Sequence, residues 1–282
     1  MILLTGVTGT VGREVARRFP AGQAVRIMVR DPRRVPAVAG ATQVVQGDYE
    51  DERSLADALR GVRRAFLVTT SVDGDHDIRF LSAARSAGVR HVVKLSAAAV
   101  EDSAAEDRIT RWQRENEQIL RECGLEWTLL RPRSFMSNTL AWTTSVRTER
   151  VVRALYGSSA NASVDPRDVA DVAVRALTEE GHTNRAYKLT GPEPITAVEQ
   201  TTRLATLLGL PLRFEELDPQ QARAGLLAHY PRHLVEALLE SAERLREGAK
   251  AEMSSTVLEL TGRPAGSFQR WAQDHLAFFR AT

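Results

Sequence analysis

Cysteine is nearly absent from this 282-residue chain. Cys123 is the only one, which excludes an internal disulfide and a thiolate metal cluster. No His, Cys and carboxylate residues fall at metal-ligand spacing, so no metal is expected. Charge is nearly balanced, with a formal net of +2. That is too little to argue for direct contact with nucleic acid or a membrane surface. No apolar run approaches the length of a membrane span. Lysine is scarce: Lys94, Lys188 and Lys250 stand among 38 basic residues. The arginine bias, with the abundant alanine, reads as a GC-rich genome rather than as function. Gly-x-Ser-x-Gly is missing, which argues against an esterase. Internal repeats and low-complexity segments are missing too.

What is present is organised around the first dozen residues. Leu3-Leu4 runs into Thr5-Gly6-Val7-Thr8-Gly9-Thr10-Val11-Gly12, and Val11, Val15, Ala16 and Phe19 then recur at helical spacing. Strand, tight turn and helix is the expected order. Glycines at 6, 9 and 12 suit a turn that lets backbone N–H groups reach a pyrophosphate and a helix pack closely on a strand. The helix N-terminus adds positive potential for phosphates. Cofactor-binding candidates are therefore Gly6, Thr8, Gly9, Thr10, Val11 and Gly12, with Arg13 just behind. The first strand begins almost at Met1, which leaves no room for a signal peptide and makes a cytoplasmic protein the expectation.

Strands and helices then alternate. Ala24–Arg30 reads as the second strand, Thr42–Asp48 as the third, Arg64–Thr70 as the fourth and His91–Ser96 as the fifth. Helices are expected over Asp51–Arg60 and over Asp77–Ala87, the latter stopped by Gly88. The pattern predicts an α/β fold of the Rossmann type, a doubly wound parallel sheet with ligands at the carboxyl ends of its strands. Arg30 ends the second strand, with Arg33 and Arg34 following. An arginine there would pair with the 2′-phosphate of NADP(H), whereas the neighbouring Asp31 would instead suit the ribose of NAD. Asp48 is placed to bond an adenine amino group or to cap the next helix. Thr69, Thr70 and Ser96 end strands beside the expected cleft. Lys94 shares a face with Ser96 and joins it as a catalytic candidate.

The later residues carry a resemblance. Trp112-Gln113-Arg114-Glu115 opens a helix that runs to Leu120-Arg121-Glu122-Cys123-Gly124-Leu125. Trp127-Thr128-Leu129-Leu130-Arg131-Pro132 and Phe135-Met136-Ser137-Asn138 follow, and Val164–Ala170 and Tyr187–Pro192 continue the match. With the N-terminal turn, these resemble the NmrA-like group of atypical short-chain dehydrogenase/reductases. The resemblance implies NAD(P)H binding. It also implies a loop after Arg131-Pro132 that passes near the nicotinamide, with Pro132, Phe135 and Asn138 as candidates for that wall. The group includes quinone reductases, other aromatic or carbonyl reductases, and regulators that bind the dinucleotide without turning it over. The chain departs from short-chain reductases proper. Tyr49, Tyr156, Tyr187 and Tyr230 all lack a lysine four residues on, so the usual acid pair is absent. Gln113 stands where NmrA-like reductases often have histidine. Glutamine can orient a carbonyl but cannot protonate one at neutral pH. Glu117, one turn on, reads as a solvated helix residue.

Two parts are expected: residues 1–132 as the dinucleotide-binding core, and residues 133–282 as the remaining Rossmann elements interleaved with a smaller, mostly helical lobe that covers the substrate. Leu140–Ser159 has no clear period and reads as part of a lid. Helices are expected over Asp165–Thr178, Thr196–Leu208 and Ser267–Phe279, others from Asp218-Pro219 and from Pro231, and a last strand over Ala186–Thr190. Phe135, Asn138, Trp142, His229 and Tyr230 are the substrate-pocket candidates. The reading that follows is an NADPH-dependent reductase, monomeric or homodimeric. Its expected substrate is a quinone or other conjugated or aromatic carbonyl, with a polycyclic aromatic of a tailoring pathway among the options. The alternatives are a non-catalytic NADP sensor of the NmrA type and a tailoring oxygenase on the same fold.

Overall fold

The computed structural model describes residues 1–282 except 21, 36–40, 73 and 281–282. In chain order the elements are β1 Ile2–Leu4, α1 Thr10–Arg18, β2 Val25–Val29, β3 Ala41–Gln46, α2 Glu52–Leu59, β4 Arg64–Leu67, α3 His76–Ser86, β5 His91–Leu95, α4 Arg108–Glu122 and β6 Glu126–Pro132. They continue with α5 Thr143–Glu149, β7 Val151–Ala154, α6 Pro166–Thr178, β8 Arg185–Leu189, α7 Ala197–Leu208, β9 Arg213–Glu216, α8 Pro219–Leu227, α9 Arg232–Arg246, α10 Thr256–Thr261 and α11 Phe268–Asp274. The chain forms two compact units. One comprises Met1–Glu101, Trp112–Pro132 and Pro166–Leu189; the other comprises Asp102–Arg111, Arg133–Asp165 and Thr190–Thr282.

The first unit holds a seven-stranded sheet in the order β3-β2-β1-β4-β5-β6-β8, with every neighbouring pair parallel. A sheet covered on both faces needs strands that are apolar throughout, and Ile2, Leu3 and Leu4 are all buried. Alternation splits them between faces. Leu3 joins Leu55, Leu59, Phe80, Leu81 and Leu120 in the core under α2, α3 and α4. Each such side chain contributes about 1.5–3 kcal/mol on burial. Helix α1 packs against α6, and the ion pair of Arg18 with Asp171 (2.9 Å) joins them. Strand β1 lies between β2 and β4, so the winding direction reverses there. That reversal opens a crevice at the carboxyl ends of β1 and β4.

The second unit has its own core, built on Met136, Val146, Val152, Leu204, Phe268 and Trp271. Its regular elements are mostly helices, with β7 and β9 paired in parallel, Val151 opposite Arg213. Sequence pattern missed this pair. The stretch expected as a lid, Leu140–Ser159, contains the end of a 3-10 segment, α5 and β7. Its strand is four residues long and finds its partner about sixty residues away, so no local period marks it. Arg213–Glu216 reads Arg-Phe-Glu-Glu and is a strand only because β7 is there to pair with it. Helix starts were legible. Thr196 with Glu199 and Asp218 with Gln221 form capping boxes on α7 and α8, each satisfying otherwise orphaned N–H groups.

Within the first unit, His91 is buried and its tautomer follows from its partners. The Thr128 hydroxyl spends its one proton on the His182 carbonyl at 2.7 Å. It must therefore accept from His91 Nε2, 2.8 Å away, which carries the hydrogen. Burial pushes the imidazole pKa down to about 4, and the charges of Arg64 and His182 add to the shift. As pH falls through the ordinary histidine range, the unfolded chain takes up a proton that folded His91 refuses. Stability contributed by neutral His91 is present above about 6.5 and is lost between there and about 4, by up to about 3 kcal/mol. Urea titrations from pH 7.5 to 4.5 should show this acid limb in the wild type and a shallower one in His91→Leu.

Candidate functional site

The crevice at the reversal is built by the glycine turn. Thr5 closes β1 against β4: its N–H and its hydroxyl both donate to the Phe66 carbonyl (3.1 and 3.0 Å), and its hydroxyl accepts from Val68 N–H at 2.9 Å. The next residue, Gly6, has φ +67°, and a Cβ there would lie 2.7 Å from the Val68 Cβ. Gly12 is equally obligatory, since its Cβ would lie 2.2 Å from the Gly6 carbonyl oxygen. Gly9 differs. Its φ is −90° and an added Cβ meets only the Gly6 oxygen, at 3.3 Å. A Cβ at Gly6 or Gly12 would force the backbone apart, whereas at Gly9 it would make one tight contact. Gly9 is also the N-cap of α1, without a side chain to cap it, and no acidic residue occupies the first turn. The N–H groups of Thr10, Val11 and Gly12 have no acceptor inside the helix.

A cleft of about 540 Å³ opens in front of this turn. It is lined by Thr5, Gly6, Thr8 and Gly9, by Met28–Asp31 and Arg34 at the end of β2, by Gly47, Asp48 and Tyr49 at the end of β3, and by Val68, Thr70 and His76. Of the expected cofactor residues, Gly6, Thr8, Gly9, Arg30, Asp48 and Thr70 come together here. Arg13 stays outside the lining, its guanidinium on the Thr8 carbonyl at 3.3 Å. Arg33 does not reach the cleft either, for a clear reason. Its Nε and one Nη grip Asp31, at 2.9 and 3.1 Å, and its backbone N–H donates to the same carboxylate. The guanidinium holds the Asp31 carboxyl below its usual range. The one acidic group that would favour an unphosphorylated ribose is thus already occupied, while Arg30 and Arg34 line the cleft. Asp51, not Asp48, caps α2, accepting from Arg53 N–H at 3.0 Å. The Asp48 carboxylate accepts from Glu50 N–H at 3.1 Å through one oxygen. Sequence reasoning passed over Tyr49 and His76, whose rings stack at 5.2 Å. Tyr49 follows Asp48 at a strand end and could have been found; His76 left no local signal.

At the ends of β4, β5 and β6 the candidates are tied up. Lys94 is fully buried, with Nζ 2.5 Å from Asp77 Oδ1 and 3.3 Å from Thr69 Oγ. The Thr69 hydroxyl donates to the other Asp77 oxygen at 2.6 Å. Ser96 donates its hydroxyl proton to Glu117 at 2.6 Å. Glu117, expected in solvent, is completely buried. It also accepts from Arg131 at 2.9 and 2.5 Å and from Arg121 at 3.1 Å, and Arg131 extends the network to Glu101 and thence to Lys188. A buried carboxylate needs such company. Gln113 lies one turn before Glu117, buried, with its Oε1 unpartnered. Pro132, also buried, ends β6 opposite Leu189.

The second unit contains a separate cleft of about 350 Å³. Phe135, Asn138 and Trp142 line it, together with Tyr156, Asn161, Ser163, Leu238, Ser241 and Lys250. His229 and Tyr230 do not join them. Both are exposed on the link between α8 and α9.

Comparison with known proteins follows the same lines. The NAD(P)H-binding family pattern matches residues 6–180. The chain belongs to the NAD(P)H-binding family. Within it, the resemblance to NmrA-like atypical short-chain reductases holds. This family member is 56% identical over 279 residues, 99% of either chain, to a (4-alkanoyl-5-oxo-2,5-dihydrofuran-3-yl)methyl phosphate reductase of Streptomyces griseus. It is 34% identical over the whole length of both chains to an NAD(P)H azoreductase of Xenophilus azovorans. The NADPH complex of an Escherichia coli quinone oxidoreductase superposes with a TM-score of 0.84 at 28% identity, covering 98% of this chain and 100% of that one.

The residues present fit a dinucleotide. The uncapped N–H groups at the start of α1 suit its pyrophosphate. The bare Gly9, the least crowded of the three glycines, is where a phosphate would approach. Gly9→Val should abolish binding of either dinucleotide, by calorimetry, with the melting temperature little changed. Gly12→Val should fail to fold instead. Normal binding by Gly9→Val would make the turn purely structural.

Proposed function

We propose that the chain is an NADPH-dependent reductase of a conjugated carbonyl compound, and that a butenolide phosphate of the kind reduced by its 56%-identical relative is its substrate class. In cofactor selection, Arg30 and Arg34 take the 2′-phosphate and Asp48 bonds the adenine. When bound, the dinucleotide supplies a hydride. The observation that carries the substrate reading is the state of the side chains at the end of β5. The Ser96 hydroxyl gives its proton to buried Glu117, the buried Lys94 ammonium is held by Asp77 and Thr69, and Gln113 cannot give a proton up. The site therefore offers no ready general acid.

A substrate must then accept hydride without strong acid help. A 4-acyl butenolide does so. Hydride adds to the ring carbon bearing the CH2–O–phosphate group, and the C=C electron pair moves to the neighbouring carbon. There it is shared by the lactone and acyl carbonyls as an enolate, which water can protonate. Quinones and azo compounds, named for the other relatives, also form stabilised anions on hydride transfer. The chain's contribution is orientation, with Gln113 turning its amide N–H₂ toward the developing enolate oxygen. That interaction is worth a moderate factor rather than the whole rate.

Two measurements test this. Loss of NADPH absorbance, followed anaerobically, should be fast with acyl butenolide phosphates, measurable with electron-poor quinones and negligible with simple ketones. Gln113→Leu should slow turnover by roughly tenfold. Tight NADPH binding without any turnover would favour a dinucleotide sensor, and simple-ketone reduction would mean an unseen proton relay. Separately, Arg30→Ala should weaken NADPH by roughly tenfold or more and NADH little, because an arginine–phosphate pair is charge-assisted. Equal losses would show that Arg30 does not read the 2′-phosphate.

A further inference from the structure

The cleft of the second unit has a polarity that hydride transfer does not explain. Of the described residues lining it, Lys250 is the single cation, and none is a carboxylate. Lys250 lies in the turn that follows α9. Its carbonyl accepts from Ala162 N–H at 2.9 Å, which clips the turn to residues 161–163. Its ammonium donates to the Ser241 carbonyl at 2.8 Å and lies 3.5 Å from the Ser241 hydroxyl. Those acceptors use two of its three N–H donors. On either side of Ala162, Asn161 Oδ1 and Ser163 Oγ are buried without a hydrogen-bond partner. Both residues line the same cleft. Buried polar atoms left unmatched are costly; of these two, the Ser163 hydroxyl can donate to an incoming ligand, whereas the Asn161 oxygen can only accept. The remaining wall is largely apolar, with Phe135, Trp142, Leu155 and Leu238 in it.

We propose that this cleft takes the substrate and that Lys250 reads a phosphate monoester on it, with the Ser163 hydroxyl as the second donor and the apolar wall holding the acyl chain. This rests on the reductase reading above and adds the residue that sets substrate choice. An ammonium and a hydroxyl both donate to phosphate oxygens; no carboxylate is among the described lining residues, and the nearby Asp107 faces Arg244 at 3.8 Å. Burial lowers the Lys250 pKa to about 8; Asp107 opposes the shift, and Arg133 and Arg244 add to it. At neutral pH the amine is still charged, and a charge already stripped of water gains more from an incoming anion than an exposed one.

The test compares an acyl butenolide phosphate with its dephosphorylated alcohol. Wild type should favour the phosphate in kcat/KM. Lys250→Met should lower kcat/KM for the phosphate by about tenfold or more, chiefly through KM, and pull the phosphate-to-alcohol ratio toward one. Lys250→Arg should restore part of the ratio. Ser163→Ala, which removes a single oxygen, should move it the same way by a few-fold and serves if Lys250→Met melts early. A full ratio in both Lys250→Met and Ser163→Ala overturns the proposal. Calorimetric titration of the phosphate ester into NADP+-loaded protein reads the subsite without turnover. Weaker binding to Lys250→Met supports the subsite even if no substrate is reduced. Equal binding to both proteins, or none to wild type, overturns it and leaves the reductase reading to its own assay.

Discussion

The dinucleotide cleft depends on how β1 leaves the sheet. Thr5 holds the end of β1 to β4 through three hydrogen bonds, two to the Phe66 carbonyl and one from Val68 N–H. With the strand clamped there, Gly6 must turn at positive φ against Val68, and the chain must enter α1 within a Cβ's width of its own carbonyl at Gly12. The start of α1 is thereby aimed across the crevice between β1 and β4, where neighbouring connections run to opposite faces. Most other groups of the cleft are brought in at the ends of strands parallel to β1. Arg30, Asp48 and Thr70 share the cleft because β2, β3 and β4 all end on the same side.

A second constraint is the burial of charge at the ends of the next strands. Lys94 with Asp77, and Glu117 with Arg131 and Arg121, are ion pairs with at least one member fully buried. Removing one partner from such a pair costs about 3–5 kcal/mol, because the other charge is left uncompensated. These groups are consequently held in place by their partners. Chemistry that proceeds beside them must rely on substrate electronics and on position. The ion-pair network and the missing Tyr-x-x-x-Lys are therefore consistent with each other, and both fit the reductase reading proposed above.

Legibility in the sequence followed the range of the interactions. The parallel sheet, the segments that form its first strands, the glycine turn and the arginines after β2 were readable, because strand, turn and helix signals lie within a few residues of one another. Gly88 at the end of α3 and the capping boxes on α7 and α8 are equally local. Glu117 misled because a helix-face carboxylate is usually solvated, and its partner Arg131 arrives from β6. Arg33 misled because its preference for Asp31 over the cleft is a matter of side-chain reach within one short turn. His229 and Tyr230 were grouped by proximity in sequence, yet both sit exposed on the link between α8 and α9.

By itself the sequence determined the fold class, the place of the dinucleotide turn and the absence of the usual Tyr/Lys acid pair. Each of these is written in adjacent residues and backbone requirements. Only tertiary structure decided which glycine is least crowded, which arginines line the cleft, which carboxylates are occupied, and that Lys250 shares a pocket with Asn161 and Ser163 across nearly ninety residues of chain. Those facts depend on which distant groups burial brings together. Burial is also what turns a polar side chain into a costly, position-specific one.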